Sequence, residues 1–478
     1  MSSLLRPRED SELSERIARS AELTEGGRVS TEDLDAWLAE RRAANTFRVE
    51  QVRLDALDGW SFQAVTGNLV HSSGRFFTVE GLHVAVDDDE PRREWYQPII
   101  QQPEIGILGI LVKEFDGVLH CLMQAKMEPG NPNLIQLSPT VQATRSNYTR
   151  VHGGAPVRHL DYFTGGNHNR VLADVLQSEH GAWFYQKRNR NMIVETDDDV
   201  THDDDFRWVT FGQIAALLCR DNVVNMDSRT VLSCAPMSAF HGDGRDDGFV
   251  SALARSRDEG ALHPDVELLS WFTEERARHD VRSERVALAG LPGWRHGGSV
   301  IEHAEGRYFR VVGVEVGASN REVAAWTQPL IEPSGMGVAA FLARRIGRVL
   351  HVLVHAKVEG GFADAVELAP TVQCIPDNYP LTADAPVFLD AVLSADPGQI
   401  RYSAVHSEEG GRFLNAESRY MIIEAGAEQF PLEPPPGFCW VTTGQLTSLV
   451  RHRHYLNVQA RTLLACLNGM VLTAPGNP

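Results

Sequence analysis

Val118-Leu-His120-Cys-Leu-Met-Gln124-Ala-Lys126-Met-Glu128 returns in the second half of the chain as Val349-Leu-His351-Val-Leu-Val-His355-Ala-Lys357-Val-Glu359. Both stretches read as strands, and a strand sends alternate side chains to opposite faces. His351, Leu353, His355, Lys357 and Glu359 therefore share one face, and Val352, Val354, Ala356 and Val358 share the other. The first occurrence divides in the same way, with His120, Leu122, Gln124, Lys126 and Glu128 against Cys121, Met123, Ala125 and Met127. One face is core, and the other is a row of polar and charged groups where a pocket can be built.

Working outward, the repeat continues in register. Trp95-Tyr-Gln97-Pro98 is answered by Trp326-Thr-Gln328-Pro329, and Pro139-Thr-Val-Gln142 by Pro370-Thr-Val-Gln373. Asn147-Tyr148 pairs with Asn378-Tyr379, Ser178-Glu179 with Ser407-Glu408, and Arg190 with Arg419. Both copies close on Asn-x-x-x-Arg-Thr-x-x-x-Cys, at Asn225 to Cys234 and Asn457 to Cys466. The chain is a tandem duplication. The expected division is a helical arm over 1–45, a first repeat over 46–235, a linker over 236–262 and a second repeat over 263–470. Ser30-Thr-Glu-Asp33 has the form of a capping box ahead of Leu34, Trp37 and Leu38. Asp265 to Phe272 carries a similar helical pattern before the second copy.

Within each copy, Arg75 to Val86 and Arg307 to Val316 read as strands, and Gln213 to Leu218 and Gln445 to Arg451 as short helices. The apolar runs Ile105 to Lys113 and Val338 to Arg344 fit strand or helix equally. The expected class is α+β, two units each built on a mixed or antiparallel sheet with flanking helices.

Composition narrows the function. The chain has 478 residues, 43% hydrophobic and 23% charged, with a formal net charge of -19. That charge argues against a nucleic-acid partner. No apolar run is long enough to span a bilayer and Met1 to Ser20 is polar, so a cytoplasmic protein without membrane contact is expected. The six cysteines show no zinc-type spacing. A zinc site on His351, His355 and Glu359 is disfavoured because Gln124 answers His355. The acidic runs Asp87 to Glu90 and Asp197 to Asp205 lack calcium-loop spacing and read as solvated loops. Dinucleotide, Walker and nucleophile-elbow motifs are missing, which points away from nicotinamide, P-loop and serine-hydrolase chemistry.

The remaining candidates are polar. Arg75, Arg145, Arg190, Arg307, Arg412 and Arg419 suit a diphosphate, because a guanidinium meets phosphate oxygens as a fork, although a surface ion pair is the ordinary role of any one of them. Trp95, Tyr96, Trp326, Tyr148 and Tyr379 suit the cover of a base or sugar ring, or packing. Ser407-Glu408-Glu409-Gly-Gly411-Arg412-Phe413 reads as a turn that holds an acid or base. Its first-copy counterpart, Ser178-Glu179-His180-Gly181-Ala-Trp183, does not match at Glu409 or Arg412.

Trp95 to Pro98, Ala125 to Asn131, Gln136 to Tyr148, Ser407 to Phe413 and Asn457 to Arg461 resemble the NDP-hexose 2,3-dehydratases of deoxysugar and antibiotic biosynthesis, over roughly residues 35–470. The resemblance implies two Nudix-like domains per subunit of a homodimer, each with a nucleotide-sugar pocket, one of which need not turn over substrate. The hydrolytic Nudix signature is missing. The implied substrate is a dTDP-linked 4-keto-6-deoxyhexose, dehydrated across C2 and C3 without a cofactor or metal. The implied product is a 2,6-dideoxy-3,4-diketo sugar that passes to a 3-ketoreductase. An epimerase or isomerase using the same enolate, or a non-catalytic nucleotide-sugar-binding protein, are the other readings.

With that chemistry in view, the second copy is the expected catalytic one. His351, Lys357, Glu359, Glu408 and Tyr379 are its expected acid, base and enolate-stabilising groups. Trp326, Gln328, Gln373, Asn378, Arg412, Arg419 and Arg461 are its expected substrate-binding residues, with Trp95, Gln97, Arg145, Asn147 and Tyr148 in the first copy.

Overall fold

The computed structural model describes residues 11–25, 28–87, 93–144, 156–165, 170–236, 248–319, 323–379, 385–426 and 430–472. The architecture is mixed α and β, with the same unit built twice.

Each copy contributes a seven-stranded sheet. In the first, Arg170–Ser178, Arg188–Glu195, Gly106–Phe115, Val118–Met127 and Phe206–Thr210 lie side by side, with Ile135–Ser138 and Val141–Ala143 added. In the second, Ile400–Ser407, Glu417–Glu424, Gly337–Ile346, Val349–Val358 and Phe438–Thr442 repeat this order, with Val366–Ala369 and Val372–Cys374 added. The pairing of Gly106–Phe115 with Arg188–Glu195 is parallel, as is that of Gly337–Ile346 with Glu417–Glu424, and the neighbouring pairs are antiparallel. The two apolar runs that fitted either structure are therefore strands.

The alternation along Val349–Val358 sorts as its period requires. Leu350, Val352, Val354 and Ala356 join a core with Val441, Leu446 and Leu463, against the helices Thr443–Leu449 and Val458–Leu472. Leu353 enters a second core with Leu342, Met421 and Trp440. The polar-looking face is thus apolar over most of its length, and only its far end is left for a pocket. The short helices begin at Phe211 and Thr443, where Thr210 with Gln213 and Thr442 with Gln445 form capping boxes. Ser30 with Asp33 forms another, opening Thr31–Ala44.

Two five-stranded sheets lock the copies together by strand exchange. Phe47–Val52, which precedes the first copy's own strands, pairs with Phe309–Ala318 of the second. Asp280–Val286, its counterpart, pairs with Thr78–Asp87 of the first. The segments ahead of each copy match as well. Ser20 Oγ donates to the Leu119 carbonyl at 2.5 Å and accepts from the Phe211 N–H at 3.0 Å. Ser256 Oγ does the same with Leu350 and Thr443. The segment 236–262, read as a linker, contains the helix Phe249–Arg255 with Ala252 and Leu253 buried.

The closing motif is explained at the centre. Arg229 and Arg461 are both fully buried, and each reaches into the other copy. Arg461 donates to the Ser178 carbonyl at 2.6 Å, the Leu456 carbonyl at 2.6 Å and Thr230 Oγ1 at 2.7 Å. Arg229 donates to the Ser407 carbonyl at 2.6 Å and the Val224 carbonyl at 2.5 Å. Among the described residues no helix is long and apolar enough to cross a membrane.

Candidate active site

The strand ends left open on the sheets are covered by turns from the opposite copy. The Gly130 N–H donates to the Gly410 carbonyl at 2.8 Å, and the Gly361 N–H donates to the Gly181 carbonyl at 2.8 Å. Both contacts need glycine, since a Cβ on Gly130 would lie 1.6 Å from the Phe413 carbonyl oxygen and one on Gly361 1.9 Å from that of Phe184.

Under each turn lies the same polar frame. In the first copy Gln142 Nε2 donates to Glu128 Oε1 at 2.8 Å, Lys126 Nζ stands 3.7 Å from that oxygen, and Asn225 Nδ2 donates to Gln142 Oε1 at 3.3 Å. In the second, Gln373 Nε2 donates to Glu359 at 3.0 Å, Lys357 Nζ stands 3.7 Å from it, and Asn457 Nδ2 donates to Gln373 at 2.7 Å.

What differs is the chemistry placed over the frames. A cavity of about 280 Å³ opens on the first-copy sheet, lined by Lys126, Glu128, Gln142, Lys187, Asn189 and Asp227 of that copy and by Trp326, Gln328, Glu409 and Arg412 of the other. By register, the second frame has Gln459 where this one has Asp227, Ala416 for Lys187, His180 for Glu409 and Trp183 for Arg412. The cavity is at the lower end of the ~300–1,000 Å³ usual for ligand pockets.

Burial dominates the electrostatics of the cavity. Desolvation, with the charges of Glu409, Glu179 and Glu128 added, raises the Asp227 carboxyl well above its ordinary range, against the pull of Lys126. Glu409 is pushed up to about 7, first by burial, with Glu179 and Glu128 adding to it and Arg412 and Lys187 opposing. Asp227 therefore keeps its proton while Glu409 ionises through neutral pH, which is how one site can offer both an acid and a base. Burial lowers Lys187 to about 8. Arg412 donates to Gln102 Oε1 at 3.3 Å and lies 4.3 Å over the Phe77 ring. Trp326 Nε1 donates to Gln328 Oε1 at 3.0 Å, and Gln328 Nε2 to the Gly411 carbonyl at 2.8 Å, which fixes both side chains at the cavity wall. Among the described residues no three His, Cys, Asp or Glu side chains are grouped to hold a metal ion.

Of the residues singled out from the sequence, Trp326, Gln328 and Arg412 line this cavity, together with Lys126 and Glu128 of the polar row and Glu409 of the turn. Lys357, Glu359 and Gln373 form the second frame, over which Trp95 and Gln97 stand in the places equivalent to Trp326 and Gln328; Gln97 Nε2 donates to the Ala182 carbonyl at 2.5 Å. The others lie elsewhere. His351 is buried, its Nε2 accepting from the Leu262 N–H at 2.9 Å and its Nδ1 3.1 Å from the Val349 carbonyl. Burial lowers its pKa and both ring nitrogens are engaged, so it braces the strand instead of reaching a ligand. Glu408 is buried against His180 and Tyr420. Arg461 is spent on backbone carbonyls of both copies. Asn378 Oδ1 accepts from the Tyr308 N–H at 2.9 Å, ordering a loop whose last described residue is the half-buried Tyr379. Arg419 is exposed beside Ser403. Arg145, Asn147 and Tyr148 lie outside the described residues, although Thr144, which precedes them, lines the cavity. Replacing His351 by Asn is expected to cost about 1–3 kcal/mol of stability and to leave kcat within a few-fold, as denaturant melts and steady-state assays would show.

Asp227, Lys187, Asn189 and Gln102 were missed. A signal existed for the first two, since each is a charged residue answered by an uncharged one in an otherwise matching string.

Comparison with known proteins decides the family. The model of the NDP-hexose 2,3-dehydratase family matches twice, at residues 31–235 and 265–467. The chain belongs to the NDP-hexose 2,3-dehydratase family. It is 58% identical over 470 residues to a dTDP-4-dehydro-6-deoxy-α-D-glucopyranose 2,3-dehydratase of Amycolatopsis orientalis, covering 97% of this chain and 96% of the relative. Proteins of the same name from Saccharopolyspora spinosa and Streptomyces violaceoruber are 52% and 48% identical, over 93% and 92% of this chain and 92% and 97% of their own lengths. The family's double match coincides with the two frames: Lys126 to Asn225 falls in the first and Lys357 to Asn457 in the second.

Proposed function

We propose that the chain is a hydro-lyase that removes water across C2 and C3 of a dTDP-linked 4-keto-6-deoxyhexose, and that the first-copy cavity, closed by the second copy's turn, is where it does so. The observation that carries this reading is the pairing, in one cavity, of buried Asp227 with half-buried Glu409 among Lys126, Lys187 and Arg412.

The C4 ketone acidifies the C3 hydrogen. Glu409, the member that ionises near neutral pH, takes that proton, and the electron pair moves into an enolate stabilised by a cavity ammonium. As the enolate collapses the C2–O bond breaks, and Asp227, which holds its proton, delivers it so that the hydroxyl leaves as water. The C3 enol then tautomerises to the 3,4-diketone. Oxidation state is conserved overall, so the step needs no redox cofactor. Arg412 and Lys187 suit the diphosphate, and Trp326 suits the face of a ring.

The second frame lacks the acid pair, and its role in this reading is structural or ligand-holding. Each copy is read as Nudix-like, which the one parallel pair in an otherwise antiparallel sheet packed by helices supports. A cytoplasmic homodimer follows from the same family reading. A vicinal diketone is reactive, which favours direct hand-over to a 3-ketoreductase.

Incubating the protein with dTDP-4-keto-6-deoxyglucose deuterated at C3 tests the reading. The expected product has lost one water together with the deuterium; a product that keeps its water and has only exchanged the deuterium for hydrogen would make the chain an epimerase or isomerase, and binding without turnover would make it a carrier. The rate should rise as pH passes about 7, where Glu409 ionises, and fall above about 8, where Lys187 gives up its charge. A flat profile between pH ~6 and ~9 in kcat/KM would contradict the acid–base assignment.

A further inference from the structure

Between the two frames lies a buried imidazole to which the reaction above gives no step. His180, 3% exposed, donates from Nε2 to Glu408 Oε2 at 2.9 Å, and its Nδ1 stands 3.8 Å from Glu179 Oε2. Glu408 also accepts from the Tyr420 hydroxyl at 3.0 Å. Glu179 accepts at Oε1 from Asn189 Nδ2 at 2.8 Å, and Asn189 Oδ1 in turn accepts from the Gly106 N–H at 3.0 Å. Asn189 and Gly106 both line the cavity. Hydrogen bonds at either end and the 3.8 Å imidazole–carboxylate contact between them therefore link Glu408 of the second copy, through His180 and Glu179, to the cavity wall. Trp183 stacks on the imidazole at 5.4 Å and Phe413 meets it edge-on at 5.1 Å, closing the group off from water.

We propose that His180 is a positioning residue for the dehydration: lying between Glu179 and Glu408 as a cation, it offsets the charge that Glu179 presents to the cavity through Asn189 and thereby sets the pH at which the Asp227 and Glu409 pair works. This rests on the reading of the first cavity as the live one. Burial opposes the charge, but the two carboxylates outweigh it and push the imidazole up to about 9, so it is cationic over the working range. The groups that face this cluster are Glu359 of the second frame, which feels the imidazolium together with Lys357, Arg461, which feels Glu179, and Arg229 beside Glu408 and Tyr420. On the cavity side they are Lys187, Lys126, Arg412, Glu128 and Glu104. Glu179 is the member shared by both sides: its charge raises both Asp227 and Glu409. The two frames are linked electrostatically through it.

The experiment is a pair of pH–rate profiles with opposite expected signs. In His180→Gln the cation that offsets Glu179 is removed, the charge of Glu179 acts undiminished on the Asp227 and Glu409 pair, and the rising limb of kcat/KM moves to higher pH by about one unit. In Glu179→Gln a carboxylate is removed while the acceptor for Asn189 and the His180–Glu408 bond remain. The pair then ionises more readily and the limb moves to lower pH. A merely structural role would lower the plateau and the Tm and leave the limbs in place. Unmoved limbs in folded variants, or shifts in the same direction, would overturn the proposal. If His180→Gln does not fold, an unmoved limb in Glu179→Gln overturns it alone. Full activity in Asp227→Asn would instead remove the reading on which it rests, so the two failures are separable.

Discussion

Asp227→Asn is expected to lower kcat for dehydration by about 10²–10⁴-fold with little change in KM or Tm. Asp227 is buried, and desolvation with neighbouring carboxylates keeps its proton on, so an amide of the same shape replaces a neutral group. The fold tolerates an amide there: the second copy has Gln459 at the equivalent position of its own closing helix. Glu409→Gln is expected to lose a similar factor and also the rising limb near pH 7, because the group that ionises there is gone. A variant at either position that keeps kcat within threefold of the parent would remove that residue from proton transfer. Hydrogen–deuterium exchange at C3 separates the two roles. Asp227→Asn should still exchange the C3 hydrogen, whereas Glu409→Gln should not.

Arg461→Ala is expected to destabilise the chain by roughly 3–5 kcal/mol. The guanidinium is fully buried, and truncation leaves the Ser178 and Leu456 carbonyls without donors around a side-chain-sized void. The loss falls where the two copies meet, so chemical denaturation should show both halves losing cooperativity together. Arg229→Ala should behave alike, since its guanidinium does the mirror-image work on Ser407 and Val224. The control is Arg419→Ala, an exposed arginine, expected within about 0.5 kcal/mol of the parent. If Arg461→Ala melts like that control, the central clasp is not what joins the copies.

These two expectations also show where reading the sequence stops. Arg461 stood out in a repeated string, and a repeated arginine in a sugar-nucleotide family invites a phosphate. The string is repeated because two helices meet at a pseudo-two-fold centre and the arginine of each donates to a strand-end carbonyl of the opposite copy, Ser178 or Ser407. His351 is a similar case. Alternation along its strand correctly separates two faces, but a period of two says nothing about what covers a face, and Trp440 and Leu342 cover this one. Lys126 and Glu128 lie at the end of the first copy's matching row, where the covering stops, and there the polar face does become a pocket.

The duplication, the strands that carry it, the Ser30–Asp33 capping box, the short closing helices and the family were all determined by the sequence alone, because each depends on local pattern or on matching strings. Tertiary structure alone decided which frame carries the acid pair and that the cavity is shared. Strand exchange and the reciprocal turns at Gly410 and Gly181 place each copy's turn over the other copy's sheet. Asp227 and Glu409 are therefore neighbours only after folding, from opposite halves of the chain, and it is desolvation in the shared cavity that raises both carboxyls, as the proposed acid and base roles require.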